Sequence, residues 1–389
     1  MRVIILIAVV LLLLPAVLAS AADVYCAIVS DSDYWDGTIA WGYDATSSVT
    51  SPTAHANQTA RDAQYTATYS SLWAWEDARD GVAQAGDTEY AIIQGPWVNP
   101  DTTSWICEDF ASDAIIIRAI GVARCNGIWD DTDAYTLEVA SEDDSYGVRV
   151  ASNDPTTFDG LQFHDDSITA TTGFCVEFHG TGTYTLSNSF LSTMGAANAV
   201  EIDAASTTTI FNCIIINRHT RLSGGEAIHA VGGSTVYVYT TLACNFDDAF
   251  EDSGATTTAI SCVAIDCVDD FDSWDTITTC ATDQGAGEGT SGVDISATWD
   301  STCFTDHSVY NYNVQDTDSP LYDTGTDSSG VFTVDVTNYT RPRWDLGPFE
   351  YQAAAGGNIA KTAGIAWASI KKIAGASQAN IKKIGSIAP

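Results

Sequence analysis

Between Asp23 and Gln352 the chain has no lysine. That stretch holds all 51 acidic residues against nine arginines, a balance of −42. Phosphate repels such a body, and nucleic-acid binding needs Lys and Arg, so nucleic acid is excluded as its partner. Solubility in a saline medium accounts for so strong a charge, and divalent-cation binding on acidic faces is the sharper alternative. The ten cysteines form neither Cys-x-x-Cys nor a Cys/His cluster at zinc spacing, which removes a thiolate metal site. Also missing are a Ser/His/Asp motif, a phosphate loop and a dinucleotide fingerprint. The Leu/Asn skeleton of a leucine-rich repeat is absent, and the strand spacing is too uneven for a β-sandwich.

What is present is a register that survives changes in loop length. Val148, Val176, Val200, Ile228 and Phe250 follow one another at uneven steps, yet each has an apolar partner ten residues on: Phe158, Leu186, Ile210, Val238 and Ile260. Phe190, Ile214, Leu242 and Ala264 continue the pattern four residues later, and Gln162 breaks it in the first copy. Fixed offsets inside a repeat, with slack between repeats, describe stacked coils. The expected fold is all-β, a parallel β-helix, right-handed by the general rule for parallel crossovers.

The chain divides by composition. Residues 1–22 combine Met1-Arg2, an apolar run from Val3 to Leu14 and a small-residue stretch ending at Ala22, the pattern of an export signal; a retained anchor is the alternative. Residues 23–90 read as an N-terminal capping region, with a short helix starting after Ser70 or Ser71 and covering the first coil. Residues 91–290 are the coils, 291–352 the last coils and a C-terminal cap, and 353–389 a basic tail. Export predicts extracellular or cell-surface localisation and allows up to five disulfides. Cys244 and Cys267, sixteen and seventeen residues after Ile228 and Phe250, are the candidate bridge between coils.

Near the end, Ser319-Pro320-Leu321-Tyr322-Asp323-Thr324-Gly325 precedes Arg341-Pro342-Arg343-Trp344-Asp345-Leu346-Gly347-Pro348-Phe349-Glu350-Tyr351. This pairing resembles the ending of secreted right-handed β-helix proteins of the pectin-lyase-like superfamily that carry variable surface anchors (choice-of-anchor endings). Leu346 and Pro348 depart from the usual Ile and Ala. Phe349 and Tyr351 are expected to plug the last coil, with Asp345 meeting an arginine. The resemblance implies a polysaccharide lyase or glycoside hydrolase as one reading. Asp247-Asp248 is similar to the paired aspartates of β-helix hydrolases, but their Gly-His-Gly and Arg-Ile-Lys elements are missing. A lyase would need calcium carboxylates and a basic residue, for which Arg218 and Arg221 are the candidates.

Strand alternation turns the residue after each leading apolar position outward, giving a ladder of Arg149, Glu177, Glu201, His229 and Glu251 with a rise of about 4.8 Å per coil. Asp247, Asp248, Glu251, Asp269 and Asp270 form the candidate calcium set. His219 reads as a loop residue. In the tail, Ile359, Ile370 and Ile381 recur every eleven residues, with Lys361, Lys371, Lys372, Lys382 and Lys383 around them. A helix with one apolar face and a small β-solenoid both satisfy that period. The tail is an attachment device toward an anionic membrane, a partner chain or the acidic body. The functional expectation is an exported, noncatalytic β-helix that presents an acidic face to polysaccharide or other surface components; the enzyme reading and a structural or phage-associated adhesion protein are the alternatives.

Overall fold

The computed structural model describes residues 24–29, 40–42, 53–55, 67–80, 87–103, 105–107, 112–139, 146–166, 173–219, 225–284, 287–297, 299–306, 308, 310–352, 372–373 and 376–377. The export-signal segment and most of the tail lie outside them. The chain forms a first unit, Met1–Glu350, and a second, Tyr351–Pro389.

The first unit is a parallel β-helix of three sheets, with ten, eight and seven strands. One coil shows the plan: Phe174–Phe178 lies in the third sheet, Thr183–Ser187 in the first and Phe190–Thr193 in the second, and the chain then returns to the third sheet at Asn198–Ile202. The leading apolar column is in register as expected: Val148, Val176, Val200, Ile228 and Phe250 stand opposite one another in successive coils. These side chains fill a continuous interior in which Phe178 stacks on Tyr184 at 4.9 Å and Phe250 on Phe271 at 4.7 Å. Threonines dominate the outward positions of the first sheet, where Thr183, Thr207, Thr235 and Thr256 form one column. A β-branched hydroxyl suits a strand with one face in water.

The register slips by one residue after Phe250. Val238 pairs with Ala259 and Leu242 with Val263, where the ten- and fourteen-residue offsets place Ile260 and Ala264. Between Val231 and Thr235 the chain uses three residues to turn from the third sheet to the first; the next coil uses two, between Ser253 and Thr256. Gly254, at φ +95°, makes the shorter corner, and the Asp252 carboxylate accepts the Gly254 and Ala255 N–H groups at 2.8 and 2.7 Å.

That slip removes the basis of the Cys244–Cys267 bridge. Cys244 stands opposite Ile265 and points out of the interior, taking a hydrogen bond from the Tyr312 hydroxyl at 3.6 Å. Cys267 is at the next corner, within the interior cluster. All ten cysteines are free thiols.

The corner between first and second sheets is a stack of left-handed residues: Gly160, Asn188, Asn212, Thr240, Ser261 and Thr279, with φ from +41° to +79°. Each N–H donates to the carbonyl one coil on, as Asn188 does to Phe211 at 3.1 Å. The side chains join too. Asn188 Nδ2 donates to Asp159 at 2.7 Å, Asn212 Nδ2 to Asn188 Oδ1 at 3.1 Å, and Thr240 Oγ1 to Asn212 Oδ1 at 2.8 Å. Arg124 closes the ladder at one end with two bonds to Asp159. Burial alone would raise the Asp159 pKa, but the charges and hydrogen bonds of Arg124, with Arg118 and Asn188, hold it near 2.

The residues after the last coil strands run back along this corner. Phe190, Ile214, Leu242 and Val263 are fully buried, yet they stand outside the interior cluster, which takes Leu191, Ile215, Ala243 and Ala264. The second sheet is therefore covered on both faces. The C-terminal segment runs along the corner and onto this sheet: Asn212 Nδ2 donates to Val334 O at 2.7 Å, Arg341 to Asn212 Oδ1 at 3.0 Å, Phe332 stacks on Phe211 at 4.9 Å, and an added Cβ at Gly347 would fall 3.2 Å from Val263. The ending does not plug the last coil. Phe349 reaches Gly127, where an added Cβ would fall 2.5 Å from its ring, and Gly127 lies between strands of the early coils. Arg341 pairs with Glu350 at 2.7 Å, while Asp345 accepts the Asp323 N–H at 2.6 Å. Gln162, the break in the repeat, sits on this covered face and is satisfied by Asp130 and Thr136.

At the other end, the helix Leu72–Arg79 starts where expected, with the Ser71 hydroxyl accepting the Ala74 N–H at 3.0 Å, and it buries Leu72 and Trp75. Val24–Val29 is already an inner strand of the first sheet, between Ala67–Tyr69 and Thr88–Gln94. In the second unit, Lys372–Ile373 pairs antiparallel with Ala376–Ser377, so no helix runs through those residues.

Asn212→Ala should destabilise the body by about 2–4 kcal/mol, since it strands buried partners and keeps a left-handed backbone without glycine or asparagine. Urea unfolding of this variant beside Asn212→Gly separates the terms: glycine should recover the backbone part alone. Wild-type stability in Asn212→Ala would show that the ladder does not hold the corner.

Candidate functional site

The outward face of the third sheet gathers the ionisable residues. The expected ladder is there: Arg149, Glu177, Glu201, His229 and Glu251 are opposite one another in register, and Asp272 extends it. A second outward column escaped the alternation rule. Glu226, Asp248 and Asp269 stack two residues before Ile228, Phe250 and Phe271, and Asn198 belongs to the same column. Alternation would send these residues inward. Instead the residue between, Cys175, Ala199, Ala227 and Ala249 in successive coils, joins its neighbour in the interior, so each strand bends at its start and turns the preceding side chain to solvent. The signal was the column of small residues, which two successive inward positions require.

Asp270 occupies that small-residue column. It is fully buried and separated from Asp269 and Asp248 on the outer face, so it leaves the calcium set. Burial first, then the charges of Asp283, Glu288 and Asp269, push its carboxyl up to about 8. Asp247 lies at the corner, its carbonyl accepting the Val268 and Asp269 N–H groups. Asp248, Glu251 and Asp269 remain together. Burial and then the charges of Asp247, Glu251, Asp269 and Asp272 raise Asp248 to about 6.

The lyase geometry is not assembled around Arg218. Its guanidinium lies 4.0 Å above the Trp129 ring and 5.1 Å from that of Tyr310, on the covered side of the second sheet. Arg221 lies outside the described residues. His219 is in a loop, held through its carbonyl by Asn245. Of the tail lysines, Lys372 is in the short antiparallel pair, and Lys361, Lys371, Lys382 and Lys383 lie outside the described residues.

Two imidazoles organise the face. His179 Nδ1 contacts Asp203 at 2.8 Å and Glu177 at 3.3 Å, and Glu177 also pairs with Arg149 at 3.3 Å. His229 Nδ1 contacts Glu201 at 2.8 Å, and Asn198 Nδ2 donates to the same Glu201 oxygen at 3.0 Å. On its other side, His229 Nε2 is 3.2 Å from Ser253 Oγ and 3.8 Å from Glu251. Burial lowers the His229 pKa, but the Glu201 hydrogen bond and the charges of Glu201, Glu251 and Glu226 outweigh it and raise the group overall. Glu226 goes up to about 8, through burial and then the Glu251 charge.

Carboxyls raised in the folded state stabilise it while protonated. For Glu226 and Asp270 that stability is complete below the unfolded values of 4.5 and 3.8 and is lost as pH rises through about 8. His229, also raised, acts in the same direction. The melting temperature should therefore fall between pH 6.5 and 8.5, and Asp270→Asn should flatten the slope. A melting temperature that rises over this window would contradict the environments described for both carboxyls.

No protein-family model matches the chain, and no curated protein matches it. Among solved structures, the crystal structure of pectate lyase Pel9A is similar in fold, at 11% identity and a TM-score of 0.34, covering 86% of this chain and 97% of that one. A likeness of this size bears on none of the site residues. The chain is a parallel β-helix by its own strand order.

Proposed function

We propose that the chain is an exported, noncatalytic β-helix whose third-sheet face holds polysaccharide or other surface components, with the basic tail attaching it to an anionic surface or to a second copy. The observation that carries this reading is the double outward column, which presents a charged or hydrogen-bonding side chain at every coil from Arg149 to Asp272. A rigid row at about 4.8 Å per coil suits a long polymer better than a small molecule. Neutral sugars are met by carboxylate acceptors, and anionic ones through calcium held by Asp248, Glu251 and Asp269. Support for a binding role comes from Arg218, whose cation is clamped between Trp129 and Tyr310, away from the carboxylates. The surface-anchor ending belongs to this proposal.

One observation favours a glycoside hydrolase as the second reading. Glu226 and Glu251 are neighbouring carboxyls, an oxygen of each lying within 4.8 Å of one of the other's, and a pair of carboxyls is what glycosidic cleavage requires. Purified protein incubated with neutral and acidic polysaccharides decides between them. Retention without release of fragments is expected, with acidic polymers held in calcium and freed by chelator. Calcium at a hundredfold excess over its dissociation constant should also stabilise the body by about 2.7 kcal/mol. Cleavage that disappears in Glu226→Gln would establish the hydrolase instead, and cleavage lost in Asp247→Asn/Asp248→Asn would point to the aspartate pair.

A chain ending at Gln352 should melt as the full chain does, because the contacts of the C-terminal segment fall within the first unit. It should no longer bind vesicles of anionic lipid. Binding by the full chain should weaken as salt shortens the screening length below about 10 Å, leaving an apolar residual from the isoleucines. Equal vesicle binding by both chains would move attachment from the tail to the body.

A further inference from the structure

Glu226, His229 and Glu251 each offer one ligand atom, and the three atoms lie within 4.8 Å of one another. Glu226 and His229 come from one strand, Glu226–Val231, and Glu251 from the strand of the next coil, directly opposite His229. The group therefore rests on sheet backbone, which holds a site more precisely than a loop does.

Two features separate this cluster from an ordinary acidic surface. The first is Glu226. It is 8% exposed, and its carboxylate makes no hydrogen bond or ion pair among the described residues. Ionising a carboxyl so nearly buried and without a partner is costly, and a cation is the partner that the neighbouring ligand atoms could share. The second is the setting of His229. Glu201 accepts from Nδ1 at 2.8 Å and is itself held by Asn198 at 3.0 Å, which places the proton of a neutral ring on Nδ1 and the lone pair on Nε2. Nε2 is the nitrogen facing Glu251, at 3.8 Å. A carboxylate behind the far nitrogen of a ligating histidine fixes the ring and strengthens it as a donor. The Ser253 hydroxyl, 3.2 Å from Nε2, would turn to Glu251 Oε1, which it already meets at 3.3 Å.

We propose that Glu226, His229 and Glu251 bind a divalent transition metal of the zinc class, with Glu201 as the positioning residue behind His229. One imidazole and two carboxylates are a borderline donor set suited to zinc, whereas calcium takes six to eight oxygens. Metal–ligand bonds of about 2.0–2.2 Å in tetrahedral array put donor atoms about 3.4 Å apart, so modest side-chain rotation closes the site. His229 and Glu251 are 20% and 25% exposed at their side chains, so the fourth position opens to water. The site shares Glu251 with the calcium set, but its test reads metal binding alone and so stands whether or not the face binds polysaccharide.

The Glu177–His179–Asp203 group is a built-in control. There both carboxylates converge on the single nitrogen Nδ1, and Glu177 is also occupied by Arg149. Its carboxylates stand on the protonated side of the ring, and among the described residues none faces the Nε2 lone pair as Glu251 faces that of His229.

The test uses the full chain, stripped with chelator and titrated with Zn(II) by calorimetry and with Co(II) by visible absorption. One equivalent is expected, with the intense d–d bands of four-coordinate Co(II). Glu226→Gln and Glu251→Gln should each weaken binding at least tenfold. Glu201→Gln should weaken it about 10–100-fold and shift the Co(II) bands, a change that a merely structural residue would not cause. His179→Ala should leave both readouts unchanged, and a hundredfold excess of Ca(II) should not displace the metal. Circular dichroism establishes that each variant is folded. If Glu226→Gln fails to fold, Glu251→Gln and His229→Asn, on the more exposed side of the cluster, decide the matter. No saturable binding by the wild-type chain, binding that survives Glu251→Gln and His229→Asn, or displacement by Ca(II) would overturn the assignment.

Discussion

The structure depends on one backbone constraint: at each first-to-second-sheet corner a single residue must turn left-handed and still donate its N–H to the coil above. Gly160 meets it without a side chain, Asn188 and Asn212 through the residue type that best tolerates that conformation, and Thr240, Ser261 and Thr279 with a hydroxyl. Stacking these residues brings their polar groups into contact in the interior of the molecule. The Asp159–Asn188–Asn212–Thr240 chain of hydrogen bonds satisfies them. A buried polar ladder of this kind specifies register more sharply than apolar stacking, because a slipped coil leaves donors and acceptors unpaired.

The same ladder receives the C-terminal segment. Arg341 and the Val334 carbonyl both bond to Asn212, so a residue near the middle of the solenoid orients a segment more than 120 positions later. The stripe Phe190, Ile214, Leu242 and Val263 is buried, with Trp129 against Phe190 at one end and Gly347 of the segment against Val263 at the other; uncovered, it would be an exposed apolar stripe. Burying both faces of the second sheet and leaving the third in water sets the functional polarity of the molecule. Buried carboxylates such as Asp159 and Glu350 are held by arginines, whereas the stacked carboxylates from Glu177 to Asp272 lie on the uncovered face, where water and cations moderate their repulsion.

On that face, regular coil spacing makes electrostatics cumulative. Each carboxylate has neighbours above and below at strand separation, so burial and like charge act together on Glu226 and Asp248, while the two histidines and Arg149 are placed where they offset part of the charge. Polymer binding, cation binding and the zinc-class site all draw on the same stored repulsion, relieved by different partners.

The fold class and the outward ladder from Arg149 to Glu251 were determined by sequence alone, because both follow from side-chain period and stacking at fixed offsets. Tertiary structure decided the rest. Local sequence could not show that a corner one residue shorter at Gly254 would slip the register and part Cys244 from Cys267. Nor could it show that a bend admits Ala227 and Ala249 to the interior and turns Glu226 and Asp248 out. The run Ile214-Ile215-Ile216 reads the same whether one face of its sheet is buried or two. Phe349 closes against Gly127 and not on the last coil, because that contact joins residues more than two hundred positions apart, and its energy exists only once the solenoid has built the groove.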